Sequence, residues 1–144
     1  MGKNKIITLW GILDIAYFAW YLIWRLIHGQ IPFYFDISKS IASNTPLGIS
    51  ALSLTIFSLI LYISLIFSGI YLIKHNKIGA LLSYIQTPFR LLTLIPPSIF
   101  FITWPLKYIF GNPQAVSAII TFVVLLLVSE ILKLYSVITW QRNK

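Results

Sequence analysis

Apolar positions along the chain gather into four long runs, set apart by short polar or proline-marked stretches. The first, Ile6–His28, covers about 23 residues, or ~34 Å of helix, enough to cross a bilayer core. Gly29–Thr45 reads as a loop. It opens with Ile31-Pro32-Phe33-Tyr34-Phe35, an aromatic, proline-bearing piece suited to the headgroup interface. Ser43-Asn44-Thr45-Pro46 is a helix-start signal, and it predicts a second span over Leu47–Ile73. The basic turn Lys74-His75-Asn76-Lys77 is short, so the second and third helices should be antiparallel neighbours.

The third segment is irregular. Ile78–Ile95 is just long enough to span, with a kink expected at Pro88 and a break near Pro96-Pro97. Ser98–Phe110 is either a bent continuation of it or a short interfacial helix on the far side. Gly111-Asn112-Pro113 is a turn, and Ala115–Ile138 is the fourth span. No internal repeat stands out. The fold expected is all-α: one transmembrane domain over residues 1–144, four helices in an antiparallel bundle.

Composition changes the reading of each run. Of 144 residues, 58% are hydrophobic and 10% charged, with mean hydropathy +0.88. A soluble domain of this length could not hide that much apolar surface, so the bilayer is the expected solvent. A net charge of +8 would suggest nucleic acid in a soluble protein. Here most cations lie at the ends of apolar runs, where Lys and Arg set topology and meet anionic headgroups. No basic stripe with interleaved polar surface exists, so nucleic acid is not an expected partner.

Those charges also predict orientation. With the N-terminus cytoplasmic, the inner side carries Lys3, Lys5, Lys74, Lys77, Arg142 and Lys144, and the outer side Arg25, Lys39 and Lys107. The positive-inside rule then places both termini in the cytoplasm of a bacterial inner membrane. The N-terminal run is too long for a signal-peptide core, contains Asp14 and lacks a nearby cleavage site, so a retained helix is expected. Myristoylation is not expected, because Ile6 stands where the motif needs Ser or Thr.

Chemistry at depth is sparse. Asp14, Arg90 and Glu130 interrupt otherwise apolar segments, and each such charge costs at least ~2.5–3.5 kcal/mol unless it meets a partner or water. Counted from Ile6, Ile78 and Ile138, the residues Asp14, Gln86 and Glu130 all lie about 8 residues in, or ~12 Å. Arg90 stacks one turn deeper than Gln86, within snorkelling reach, and Ser64 and Ser68 bracket the same level. One buried polar layer of Asp14, Ser64, Ser68, Gln86, Arg90 and Glu130 is therefore predicted. Glu130 and Lys133, three apart on one helix, are expected to pair locally. Tyr17, Tyr21, Arg25 and His28 continue the Asp14 stripe toward the outer surface.

The layer has two readings. Arg90 bridging Asp14 and Glu130 would fix helix register, as polar contacts do in a bundle lacking an internal hydrophobic drive. Alternatively, the carboxylates mark a proton or cation pathway. Near-neutrality favours the first. On the second span, Ser64-x-x-x-Ser68 is a small-x-x-x-small pattern allowing close helix approach. Trp24 and Trp104 suit the outer interface and Trp140 the inner one. Phe33, Tyr34 and Phe35, with Trp104, Tyr108 and Phe110, form a candidate partner-binding surface on the outer face.

No metalloprotease helix motif, serine elbow or phosphate-cradling glycine loop occurs. Cysteine is absent, which excludes disulfides, thiolate catalysis and Cys-ligated metals. His28 and His75 fall on opposite sides, so no shared metal is expected. Three acids, one of them expected in a loop, are too few for a hydrolase using paired carboxylates with metal, so neither a cofactor nor enzymatic activity is expected.

Asp14, an acid in the first of four short helices, resembles small multidrug-resistance transporters, which carry a glutamate there. That likeness implies proton-coupled export, although the family's pattern is not evident in the later helices. Size, helix count, basic interfaces and the lack of chemistry also resemble the membrane-embedded immunity proteins that protect bacteria from pore-forming toxins. This second likeness implies binding of a protein toxin within the membrane or at its outer face. It is the leading expectation, with a proton-coupled exporter, oligomeric in form, or an accessory subunit of a larger membrane complex as alternatives.

Overall fold

The computed structural model describes residues 3–42, 48–93, 95, 99 and 116–142. Among these, five helices and no strands occur: α1 (Lys3–Ile27), α2 (Tyr34–Ala42), α3 (Gly48–Ile73), α4 (Lys77–Thr93) and α5 (Val116–Arg142). Three segments are long and apolar enough to cross a membrane: Asn4–Ile27, Leu52–Ile73 and Ser117–Arg142. The third expected span is shorter than its neighbours, 17 residues of helix ending at Thr93. Pro88 lies inside it and the helix runs on past the proline. Pro96, Pro97 and all but Ile99 of the 98–110 segment fall outside the described residues.

The loop expected over Gly29–Thr45 is corrected in part, because α2 occupies its second half. Gly29 and Phe33 both take left-handed backbone, at φ 66° each, and fold the chain back after α1. The amides of Phe35 and Ile37 then donate to the carbonyls of Ile31 and Phe33, starting the helix. Asp36 sits in its first turn and Lys39 in its last, matching the helix dipole. None of its residues is buried, as befits a helix lying along a surface.

The long helices close on themselves. α1 packs on α3, α3 on α4, α4 on α5, and α5 returns to α1, while α2 lies on α3. The tightest approach joins α1 to α3. A Cβ on Gly11 would come within 2.7 Å of the Gly69 carbonyl oxygen, and one on Gly69 within 2.8 Å of the Gly11 oxygen. Two glycines facing each other thus bring backbones together, the device small residues supply in membrane bundles. The small-residue contact falls one position beyond Ser68.

Two apolar clusters result. Ile7, Leu72, Ala80, Val137 and Trp140 form one near the chain termini, with Trp10 and Tyr84 packed against it. Leu61, Leu65 and Ile95 form the other, flanked by Tyr17, Tyr62 and Phe89. By helix register, Asp14, Ser68, Gln86 and Glu130 lie between them.

Candidate functional site: a buried charge quartet

The polar face of α4 carries Ser83, Gln86, Thr87 and Arg90, spaced three or four apart and all buried. It turns inward because the other side of α4 offers Ile78, Leu81, Ile85 and Leu92 to the surroundings. Arg90 is fully buried, and its guanidinium is shared. Nη2 donates to Gln86 Oε1 at 2.5 Å and to Asp14 Oδ2 at 3.3 Å, while Nη1 lies 3.5 Å from Glu130 Oε1. A planar fork with several donors suits such bridging better than a point charge.

Lys133 departs from its expected pairing. Instead of pairing with Glu130 on its own helix, its ammonium donates to both oxygens of Asp14, at 2.7 and 2.6 Å. Geometry explains the choice. Lys133 is completely buried, and Asp14 on α1 meets it across the α1–α5 contact. Glu130 instead receives Thr87 Oγ1 at 3.3 Å and the charge of Arg90. Two acids and two cations from α1, α4 and α5 thus make a neutral quartet, each member no more than 1% exposed. α3 supplies hydroxyls. Ser68 donates to Asp14 at 3.5 Å and meets Ser83 at 3.2 Å, and Ser64 accepts from Gln86 Nε2 through both its hydroxyl and its carbonyl, at 2.9 Å.

All six residues of the predicted layer therefore stand in one connected network, with Ser64 half-buried and the other five buried. Ser83, Thr87 and Lys133 belong to it as well. The first two were legible as the remaining positions of the Gln86–Arg90 face. Lys133 gave no such signal, since an i, i+3 acid beside it already offered a partner. The satisfaction is incomplete: Arg90 Nε, Arg90 Nη1 and Glu130 Oε1 are buried without hydrogen bonds.

The expected outer aromatic surface divides. Phe33 packs inward against Phe18 and Tyr21, at 6.4 and 5.7 Å between ring centroids, and its amide donates to the Tyr21 hydroxyl at 3.1 Å. Phe33 is half-buried, so part of its surface is taken up by packing on α1. Phe35 lies under the Arg25 guanidinium, 5.1 Å from its ring centroid. Tyr34 is 69% exposed. Trp104, Tyr108 and Phe110 lie outside the described residues.

Around Phe33 a polar clasp closes α2 onto α1. Arg25 pairs with Asp36 and donates to Gln30 at 2.7 Å, and the Tyr21 hydroxyl donates to Asp36 at 2.6 Å. Tyr62 of α3 stacks on Tyr21, 4.5 Å between centroids, so the clasp reaches a third helix. Tyr21 and Arg25, predicted as a stripe from Asp14 outward, are its α1 half.

At the opposite end, Asn4, His75 and Trp140 meet. His75 Nε2 lies 3.1 Å from Thr8 Oγ1 and 3.2 Å from the Asn4 carbonyl, and Trp140 Nε1 donates to Asn4 Oδ1 at 3.1 Å. Tyr84 of α4 donates to Gln141 of α5 at 2.9 Å. Among the described residues, no three His, Cys, Asp or Glu side chains gather where they could hold a metal. Comparison with protein-family models, curated proteins and solved structures finds no match.

Proposed function

We propose that this chain is a four-span protein of the bacterial inner membrane that binds a protein partner and catalyses nothing. α1, α3, α4 and α5 cross the bilayer, α4 bent at Pro88, with both termini cytoplasmic and α2 lying along the outer interface. The specific reading is immunity against a pore-forming or membrane-depolarising toxin. One observation supports the proposal: the buried charges of α1, α4 and α5 pair with one another in the interior of the bundle. Such a quartet is occupied in holding helices together, which leaves recognition to the surface. That surface offers large apolar side chains on every long helix, and Tyr34 beside the outer clasp.

Cells expressing the chain should survive the cognate toxin, and Tyr34→Ala should reduce protection while membrane levels hold. Killing unchanged by expression, with the protein present in the membrane, would reject immunity. Protection untouched by Tyr34→Ala would reject the α2 surface.

A second reading, a small proton-coupled exporter, draws support from Glu130. Its Oε1 makes no hydrogen bond, so one buried carboxylate is less well held than Asp14. In proteoliposomes with a pH gradient, flux of cationic dyes that Glu130→Gln removes and Lys39→Gln leaves intact would favour export over partner binding.

A further inference from the structure

The chain has three acids, and each is engaged. Asp14 and Glu130 are matched by Lys133 and Arg90, and Asp36 by Arg25. The net charge of +8 therefore rests on the other eight cations. Six of these flank one end of the bundle in sequence: Lys3, Lys5, Lys74, Lys77, Arg142 and Lys144. The junction of Asn4, His75 and Trp140 draws that end together, binding the start of α1, the α3–α4 turn and the last turns of α5. Lys5, Lys74 and Arg142 lie one or two residues from those three contacts, and Lys77 opens α4. All four are exposed.

Just inside this ring the exposed side chains turn apolar. Ile78 on α4 and Tyr135 and Ile138 on α5 are 48%, 69% and 46% exposed, within about two turns of Lys77 and Arg142. Helices α4 and α5 pack together and are joined there by the Tyr84–Gln141 hydrogen bond. A cationic rim above an apolar flank matches a molecule with an anionic head and hydrocarbon tails.

We propose that this end of the bundle is a binding site for an anionic phospholipid, its phosphate held by Lys74, Lys77 and Arg142 and its acyl chains lying along α4 and α5. The site rests on the membrane reading and is independent of any protein partner. Each juxtamembrane cation contributes about a fivefold gain in lipid affinity, so losing three weakens binding about a hundredfold. The attraction is screened by salt, over ~10 Å at 0.1 M ionic strength.

The test uses the full chain in neutral detergent, titrated with phosphatidylglycerol or phosphatidylcholine and followed by native mass spectrometry. Phosphatidylglycerol should be retained in preference, and the preference should fall as salt rises. The triple variant Lys74→Gln/Lys77→Gln/Arg142→Gln should lose it. Lys39→Gln, exposed on α2 near the opposite end, should keep it, and soluble glycerol phosphate should not compete at matched concentration. Equal retention of the two lipids would overturn the site, as would equal loss in the Lys39 variant. Competition by glycerol phosphate would overturn the lipid assignment. All four substitutions fall on exposed positions, and an unchanged helical circular dichroism spectrum separates lost binding from lost fold.

Discussion

Replacing Asp14 by asparagine is the sharpest perturbation of the interior, because the shape barely changes and the charge disappears. Asp14 meets Lys133 at 2.6 and 2.7 Å and Arg90 at 3.3 Å. At an effective dielectric near 20, these separations give attractions of about 6 and about 5 kcal/mol, before desolvation offsets most of each. The net cost of stranding a buried cation is smaller, about 3–5 kcal/mol. Asp14→Asn leaves Lys133 and Arg90 facing Glu130 alone, at net +1. For a chain of this size, that loss lowers the melting temperature by about 10 °C. The assay is thermal unfolding in detergent, followed by helical circular dichroism. Adding Lys133→Met restores neutrality and should recover at least half the loss, a coupling that two independent sites would not show. Two results would refute the reasoning. One is an Asp14→Asn variant that melts with the parent; the other is a double variant whose loss equals the sum of its singles.

Three further outcomes follow from the geometry. Arg90→Lys should destabilise by about 2–3 kcal/mol despite keeping the charge, because one ammonium cannot serve Asp14, Gln86 and Glu130 together; thermal unfolding would measure it. Gly11→Ala should lower stability by about 1–3 kcal/mol, since its methyl would press on the Gly69 carbonyl oxygen, a backbone atom that cannot swing aside. Gly29→Ala, with open space around it but φ at 66°, should cost only about 1 kcal/mol, so equal melting temperatures for the two variants would contradict the close α1–α3 approach. Asp36→Asn should cost at most about 1 kcal/mol, because the Arg25–Asp36 pair is partly exposed, yet hydrogen exchange over Tyr34–Ala42 should quicken while α3 and α5 keep their protection.

Hydrophobic run length made the long helices legible, and helix rise alone was enough to bring Asp14, Gln86 and Glu130 to one level. Depth is nearly a one-dimensional property, so it survives ignorance of how the helices pack. Pairing is not. Whether Lys133 turns to Glu130 beside it or to Asp14 on another helix depends on which faces of α1 and α5 meet, and a sequence does not state that. Helix α2 was hidden for a related reason. Its nine residues are too few for a clear apolar period, and the turn that starts it needs left-handed backbone at Phe33, where an aromatic residue gives no warning. The half-buried Phe33 ring packs on Phe18 and Tyr21 of α1, a contact that favours that conformation.

The composition of α4 explains why the quartet exists. At 17 residues α4 is about 26 Å long, short of a ~30 Å hydrocarbon core, and it carries a proline, a glutamine and an arginine. Placed alone in lipid, its Arg90 would cost at least ~2.5–3.5 kcal/mol. Inside the bundle every polar side chain on that face has an acceptor or donor on α1, α3, α5 or α4 itself. The three long apolar helices have no need of charge to sit in a membrane, whereas on the proposed four-span reading α4 would be stable there only against Asp14 and Glu130. Those two acids in turn would be stranded without Arg90 and Lys133. The four charges are therefore one interdependent unit that seats α4 in the bundle, with Asp14 held more fully than Glu130. On the proposed reading, that commitment is what leaves recognition to the protein's surfaces.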